Sequence, residues 1–442
     1  MEARHRVGAL FTDLYELTMA AGYWAHGLYD RATFSVFIRG GGTRRDYFVA
    51  VGLEDVVTEL EAFSFLPEEI AFLETTGRFS SGFLDYLGGL RFTGDMVAMA
   101  EGTVFFADEP ILEITAPLIE AQILETFILN TLGFQTMIAT KAARCIKAAG
   151  GRPLIDFSLR RTQGTDAGMK VARSTWIAGF DATSNVLAGK QYGLPLSGTM
   201  AHSFVTAFDT EMEAFSAYAQ TFPESTVLLI DTYDVIQGAR NAVTVAQALR
   251  NGGNALVGVR LDSGDMASQS INVRRILDQG GFPEVKIFAS SGFDEFKIAD
   301  VIDRGARIDA FGVGTKVGVS SDAPFLNIVY KLVRYAGRNV RKTSPGKATL
   351  GGEKQVFRQL DKGGAFVGDI VGTRHEHHEG AESMLTPVMV NGSPVGARPR
   401  LSEIRARFQT QISMLGHEHA RLDGPVRYPI RISEGLNAVQ PL

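Results

Sequence analysis

Six short polar segments, each following an apolar run, carry the side chains that could do chemistry: FSLRRTQG (157–164), GTMAHS (198–203), DTYD (231–234), RLDSGD (260–265), SSGFD (290–294) and GVGTKVG (312–318). In the last, glycines lie beside Thr315 and Lys316. Glycine lets backbone N–H groups approach an anion, threonine adds a hydroxyl donor and lysine a charge, so Gly314 and Thr315 describe a phosphate cradle. The spacing matches neither GxxxxGK[ST] nor GxGxxG. Gly292, in the segment before, offers a second set of donors to the same phosphate. Arg260 and Asp262 stand two apart at a strand end and project the same way. Arginine suits a carboxylate or phosphate, and aspartate a ribose hydroxyl or metal-bound water. Phe157 adds a flat ring, and Arg160 with Arg161 adds charge. His202 sits among Ser and Thr hydroxyls, Thr199 included. It reads as a general base or as a nucleophile that takes up a phosphoryl group, against the alternative of a purely structural histidine.

These segments need elements that bring them together. After residue 151 apolar strand, polar loop and helix recur at spacings of about 25 to 40 residues. Strands are expected at PLIDF from Pro153, near 194–197, and at 226–230, 255–259, 285–289 and 307–311. Alternating β and α argues for parallel strands, as a barrel or a doubly wound sheet. Both architectures gather their loops at the carboxyl ends of the strands, where every polar segment above falls. Before residue 151 the texture differs. A helix is expected over 12–27, with Tyr15, Met19 and Tyr23 on one face, where core packing is the plain reading. A strand at 32–38 leads to the basic turn GGTRRD (41–46), either a phosphate contact or a solvated loop. Short β segments fill 95–116, and a long helical stretch over 117–149 opens on Pro117 and stops at Gly150 and Gly151. Beyond Phe325 come a strand, a Lys- and Gly-rich extended span, and a charged helical tail over 401–422 that returns to the N-terminal part. This divides the chain into an N-terminal α+β domain at 1–130, joined by about 335–442, and a catalytic α/β domain at 131–334.

Composition narrows the partners. The 442 residues are 45% hydrophobic and 21% charged, with a net charge of −5, which describes a globular enzyme without a broad basic surface for nucleic acid. Small-molecule partners are expected. The single cysteine, Cys145, excludes an internal disulfide and reads as a buried thiol in a reducing cytoplasm. No apolar run approaches the ~18 residues of a membrane span, and no membrane partner is expected. HEHH (375–378) and HEH (417–419) lack the HExxH spacing of a helical metal site and read as solvated loops.

Taken in order, TDLYELTM, EAQILETFILN, KAAR, DFSLRR, GFDATSNVLA, GTMAHSF, RLDSGD, SGFDE, GVGTK and KQVFR make the chain resemble the nicotinate phosphoribosyltransferase family over essentially its whole length. The resemblance implies an irregular TIM-like α/β barrel with an α+β domain formed by the N-terminal and C-terminal segments. It implies ATP-assisted transfer of phosphoribose from 5-phosphoribosyl 1-diphosphate to nicotinate, giving nicotinate mononucleotide and diphosphate, with Mg²⁺ as cofactor and ATP as co-substrate. His202 matches the family histidine that ATP transiently phosphorylates. Tyr15, Thr199 and Arg260 match positions that bind nicotinate, and Thr315 with its glycines matches the phosphate loop. Phe157, Arg160, Asp262, Gly292 and Gly314 complete the expected site, and the metal ligands stay unassigned. Tyr15 is similar to an aromatic that reaches a neighbouring subunit to stack on the pyridine with Phe157, so a homodimer with shared active sites is implied. Where this chain has Ser184, the nicotinamide-using relative has an aspartate. A nicotinamide phosphoribosyltransferase and a catalytically silent phosphometabolite-binding protein are the alternatives.

Overall fold

The computed structural model describes residues 7–40, 45–424 and 426–441. Most of the GGTRRD turn, residues 41–44, therefore lies outside the described residues. The chain forms two compact units, Met1–Met137 with Phe325–Leu442, and Ile138–Pro324.

The first unit is built from both ends of the chain. Its seven-stranded antiparallel sheet runs in the order Arg338–Asn339, Ile328–Tyr335, Arg31–Ile38, Pro110–Pro117, Asp95–Ala98, Thr386–Val390 and Ser393–Pro394. Strand Arg31–Ile38 lies in the middle and is buried over nearly its whole length, so its side chains are apolar or small on both faces. Phe34 stacks on Tyr330 across the 31–38/328–335 pair at 4.6 Å. Helix Leu14–Ala25 starts two residues later and ends two earlier than expected. A second sheet, Ala381–Ser383, Lys354–Leu360, Phe366–Thr373 and Ile430–Ile432, carries the KQVFR segment. Arg358, in that segment, is fully buried and bonded to Asp369 at 2.7 Å and to the Val104 carbonyl. The Asp369 carboxylate also accepts from the Tyr428 hydroxyl at 3.0 Å. His378, in HEHH, pairs with Glu376 at 3.0 Å and packs on Phe357.

The expected long helix after Pro117 is two helices, Leu118–Ile123 and Glu125–Ala149, parted at Leu124. The second stops where Gly150 and Gly151 adopt φ of +58° and +85°, values that a residue with a Cβ rarely takes. Cys145 is buried on this helix, where burial pushes its thiol well above the ordinary range.

The second unit holds a six-stranded parallel sheet in the order Ala182–Thr183, Leu154–Asp156, Ala310–Val313, Lys286–Ala289, Gly258–Leu261 and Val227–Leu229. The strands are two to four residues long and mostly buried on both faces, as parallel strands flanked by helices must be. The 194–197 run forms no strand of its own; it meets the sheet through one parallel bridge, Thr183 to Leu196. Two strands lie about three residues further along than the apolar runs suggest, because pairing with neighbours decides their ends. Arg260 pairs with Leu229 and Phe288, and Gly312 with Ile155. Both residues thereby belong to strands and not to the loops that follow.

Candidate active site

All six strands of the second unit run the same way, so their carboxyl ends share one edge. There the sheet order places Thr183, Asp156, Gly314, Ser290, Asp262 and Asp231 at or just beyond successive strand ends. Parallel pairing thus brings five of the six polar segments together, and GTMAHS joins them through the Leu196 bridge and Thr199.

At the centre stands Arg260, half-buried in its strand. Its Nη1 donates to Thr199 Oγ1, which fixes the GTMAHS segment to the sheet edge. Burial pulls the guanidinium below its ordinary range, an effect that the nearby Asp262 and Asp231 oppose and the Arg160 charge reinforces. Arginine stays charged through such a shift. Its Nε is buried without a partner, so a donor remains for an acceptor from outside.

His202 opens the short helix His202–Thr206. Its Nδ1 lies 3.1 Å from Thr232 Oγ1, and its Nε2 lies 3.8 Å from Asp262 Oδ2. The ring is 43% exposed and can be reached from solvent. Behind it runs a chain of acceptors and donors. Ser290 Oγ donates to Asp262 Oδ1 at 2.5 Å, while the Asp262 N–H and Ser263 hydroxyl donate to Asp231 Oδ2 at 2.8 and 2.6 Å. Asp231 Oδ1 is buried and unpartnered.

Phe157 follows strand Leu154–Asp156, and its N–H donates to the Val313 carbonyl at 2.9 Å. Its ring lies against the Cα of Gly312. A Cβ there would sit 2.5 Å from two ring carbons, so this first glycine of GVGTKVG makes room for the ring and does not cradle an anion. Asp156, just before, is buried and accepts from the Ser158 N–H and hydroxyl and from Thr183 Oγ1. Burial pushes its carboxyl up, and these bonds oppose the shift. Ser184 donates its N–H to the Asp156 carbonyl at 2.9 Å, which places it at the same edge.

The loops after strands Lys286–Ala289 and Ala310–Val313 are neighbours because the strands are. Ser291 and Gly292 take φ of +96° and +63°, and Gly314 caps the turn Thr315–Gly318. Lys316 Nζ bonds to Asp294 Oδ2 at 2.9 Å, and Lys297 Nζ to the Ser291 carbonyl at 2.7 Å. Burial and the Lys316 charge bring Lys297 below its ordinary value, against the pull of Asp294 and Asp262. Two ammonium groups therefore flank this pair of loops.

Of the expected residues, the structure gathers Phe157, Arg160, Thr199, His202, Arg260, Asp262, Gly292, Gly314 and Thr315 at one sheet edge. Tyr15 belongs to the first unit, on helix Leu14–Ala25, with 47% of its surface exposed. Burial of its hydroxyl, then the charges of Glu125 and Glu16, push the phenol well above its ordinary range. Sequence reasoning missed Thr232 as the partner of His202, and it missed Lys297. The latter left a signal, since a cation in the first turn of a helix opposes the dipole.

Comparison with known proteins gives the class first. A crystal structure of human nicotinic acid phosphoribosyltransferase superposes with a TM-score of 0.87 at 30% identity, covering 97% of this chain and 98% of that one. A nicotinate-nucleotide pyrophosphorylase from Pyrococcus furiosus gives 0.76 at 26%, over 94% and 99%. The fold is that of a phosphoribosyltransferase. The models of the nicotinate phosphoribosyltransferase N-terminal domain, family and C-terminal domain match residues 10–133, 153–362 and 377–440. Nicotinate phosphoribosyltransferase pncB2 of Mycobacterium tuberculosis is 47% identical over 438 residues, 99% of this chain and 94% of its own length, and the Bacillus subtilis enzyme is 37% identical over 457 residues, 96% and 93%. The chain belongs to the nicotinate phosphoribosyltransferase family.

Proposed function

We propose that the sheet edge binds 5-phosphoribosyl 1-diphosphate and nicotinate and joins them to nicotinate mononucleotide, with ATP phosphorylating His202. The observation that carries this reading is that the Thr199–Arg260 pair, the ring of Phe157 and the chain His202–Asp262–Ser290 stand at one sheet edge. Arg260 with Thr199 takes the pyridine carboxylate through charge-assisted donors, and Phe157 gives the ring a flat wall. The loops around Gly292 and Gly314–Thr315, with Lys297 and Lys316 beside them, take the sugar phosphate. Asp262 faces the ribose hydroxyls, and Arg160 lies near enough to Arg260 to share an anionic substrate's charge.

As the bond from the anomeric carbon to diphosphate breaks, positive character grows on the sugar, and the neutral pyridine nitrogen completes the bond once held in line. Fixed donors at the edge favour the departing charge. Attack by an imidazole nitrogen of His202 on the terminal phosphorus of ATP forms an N–P bond and releases ADP. The added charge, roughly −1.5 to −2 by analogy with other phosphorylated side chains, repositions the neighbouring loops. Among the described residues no group of three or more His, Cys, Asp or Glu is arranged for a metal. Mg²⁺ needs only one or two carboxylates when substrate phosphates supply the rest. The buried, unpartnered Asp231 Oδ1 and the Asp262 carboxylate fit that need. Bound there, Mg²⁺ would neutralise charge on the leaving diphosphate.

The strand order follows the chain cyclically, with strands 182–183 and 227–229 at the two edges and the Leu196 bridge between them in sequence, which supports closure into an irregular barrel. Exposed Val186, Leu187 and Leu196 near Ser184, with the exposed Tyr15, support a homodimer whose subunits share active sites. The described residues include no helix long and apolar enough to cross a membrane; the cytoplasm is the expected location. The test is product formation from nicotinate and from nicotinamide, with and without ATP, in wild type and His202→Ala. Product from nicotinate, with ATP stimulation lost in the variant, is expected. Product from nicotinamide alone overturns the substrate, and full ATP stimulation in the variant overturns the phosphohistidine.

A further inference from the structure

The KAAR segment has no part in the chemistry above, yet Lys141 and Arg144 are among the most deeply buried charges in the protein. Lys141 has no exposed side-chain surface. Its ammonium lies against Glu295 Oε2 and 2.8 Å from Asp322 Oδ1, as close ion contacts without the alignment of hydrogen bonds. Arg144, one turn on along helix Glu125–Ala149, donates through Nε to the other Glu295 oxygen at 2.8 Å. The ring of Phe296 lies 5.8 Å from the Lys141 ammonium and 5.6 Å from the Arg144 guanidinium. A buried cation of this kind persists only when carboxylates hold it, and here one carboxylate opens the helix after the SSGFD loop and the other lies beyond GVGTKVG.

Glu295 is the residue directly after the SSGFD loop, and Asp322 closes the segment after GVGTKVG. Each is coupled to the backbone that would meet an anion. Asp294, next to Glu295, accepts from Lys316 of the second loop, and the Ser321 N–H, next to Asp322, donates to the Lys316 carbonyl at 3.0 Å. Lys141 therefore touches the far ends of both loops, and Lys316 ties them again nearer their tips.

We infer that Lys141 is a positioning residue, its buried ammonium bridging Glu295 and Asp322 so that the loops around Gly292 and Thr315 stay in register for one phosphate. This rests on assigning those loops to the sugar phosphate. The clamp acts on phosphate binding and leaves the pyridine side, built on strand Gly258–Leu261 and Thr199, to itself.

Asp322→Asn is the selective probe, because Asp322 is 19% exposed and its loss leaves the Lys141–Glu295–Arg144 contacts in place. The KM for 5-phosphoribosyl 1-diphosphate should rise roughly fivefold or more, while kcat and the KM for nicotinate stay within about twofold. Thermal stabilisation by millimolar inorganic phosphate should be largely lost in the same variant. Lys141→Met, if it folds, should show the same split more strongly. An unchanged sugar-diphosphate KM with the phosphate response retained overturns the inference, and so does an equal rise in both KM values, which would mark general loosening. If wild type is stabilised by phosphate and Asp322→Asn is not, yet neither makes mononucleotide from nicotinate, the clamp stands and the substrate assignment falls.

Discussion

Gly312→Ala tests whether Phe157 positions the pyridine. The new methyl carbon would lie 2.5 Å from Cδ2 and Cε2 of the ring and 3.3 Å from the Ser290 Cβ. Carbon atoms in contact sit about 3.5–4.0 Å apart, so the ring must retreat by about 1 Å or more. Phe157 is only half-buried and its ring can swing outward. The cost to folding should therefore fall at the low end of the overpacking range, about 1 kcal/mol. The cost to binding is separate. An aromatic pair is worth about 0.5–1.5 kcal/mol beyond burial, which corresponds to about a 2- to 13-fold rise in the KM for nicotinate. The sugar-diphosphate KM should hold, because the displaced ring is not one of its donors. Steady-state kinetics with each substrate varied in turn, beside a melting curve, reads all three quantities. Phe157→Ala should give a similar nicotinate KM with the methyl clash absent. A nicotinate KM that stays at the wild-type value in both variants refutes the stacking role, and a parallel rise in both KM values would point to damage of the whole sheet edge.

Two further outcomes concern the first unit. Arg358→Met would leave Asp369 buried without its cation and should lower unfolding free energy by about 3–5 kcal/mol in urea titration; a loss under 1 kcal/mol would mean that the Tyr428 hydroxyl satisfies the carboxylate. Glu16 has its carboxyl pushed up from 4.5 to about 7 by burial, with bonds from Thr12 and Thr126 opposing the shift and the Glu125 charge adding to it. The folded state then binds more protons than the unfolded chain between these values, so this group's contribution to stability is full below pH 4.5 and is lost as pH rises toward about 7. Glu16→Gln should flatten that part of the stability profile, and an unchanged slope would show that Glu16 ionises normally.

Much of the site was legible because its parts are local. Each polar segment follows an apolar run, and in parallel α/β architecture such segments must share one edge. The glycine pair at 150–151 and the helices between strands were readable for the same reason. Strand ends were not. Arg260 and Gly312 fall just past the apolar runs at 255–259 and 307–311, because a charged residue and a glycine do not extend such a run, and pairing with Leu229, Phe288 and Ile155 places them within strands. The run at 194–197 went the other way, apolar enough for a strand but held by a single bridge.

By itself the order of residues determined which groups could meet: a histidine, an arginine, acids, a flat ring and two glycine-bearing loops, each in a polar segment after an apolar run. Tertiary structure alone decided which of them touch. Thr199 on Arg260, Thr232 on His202, Phe157 over Gly312 and Lys141 between Glu295 and Asp322 join residues 30 to 181 positions apart. Such contacts depend on sheet register and on the cost of burying charge, and both are settled only when the whole sheet and its flanking helices are assembled.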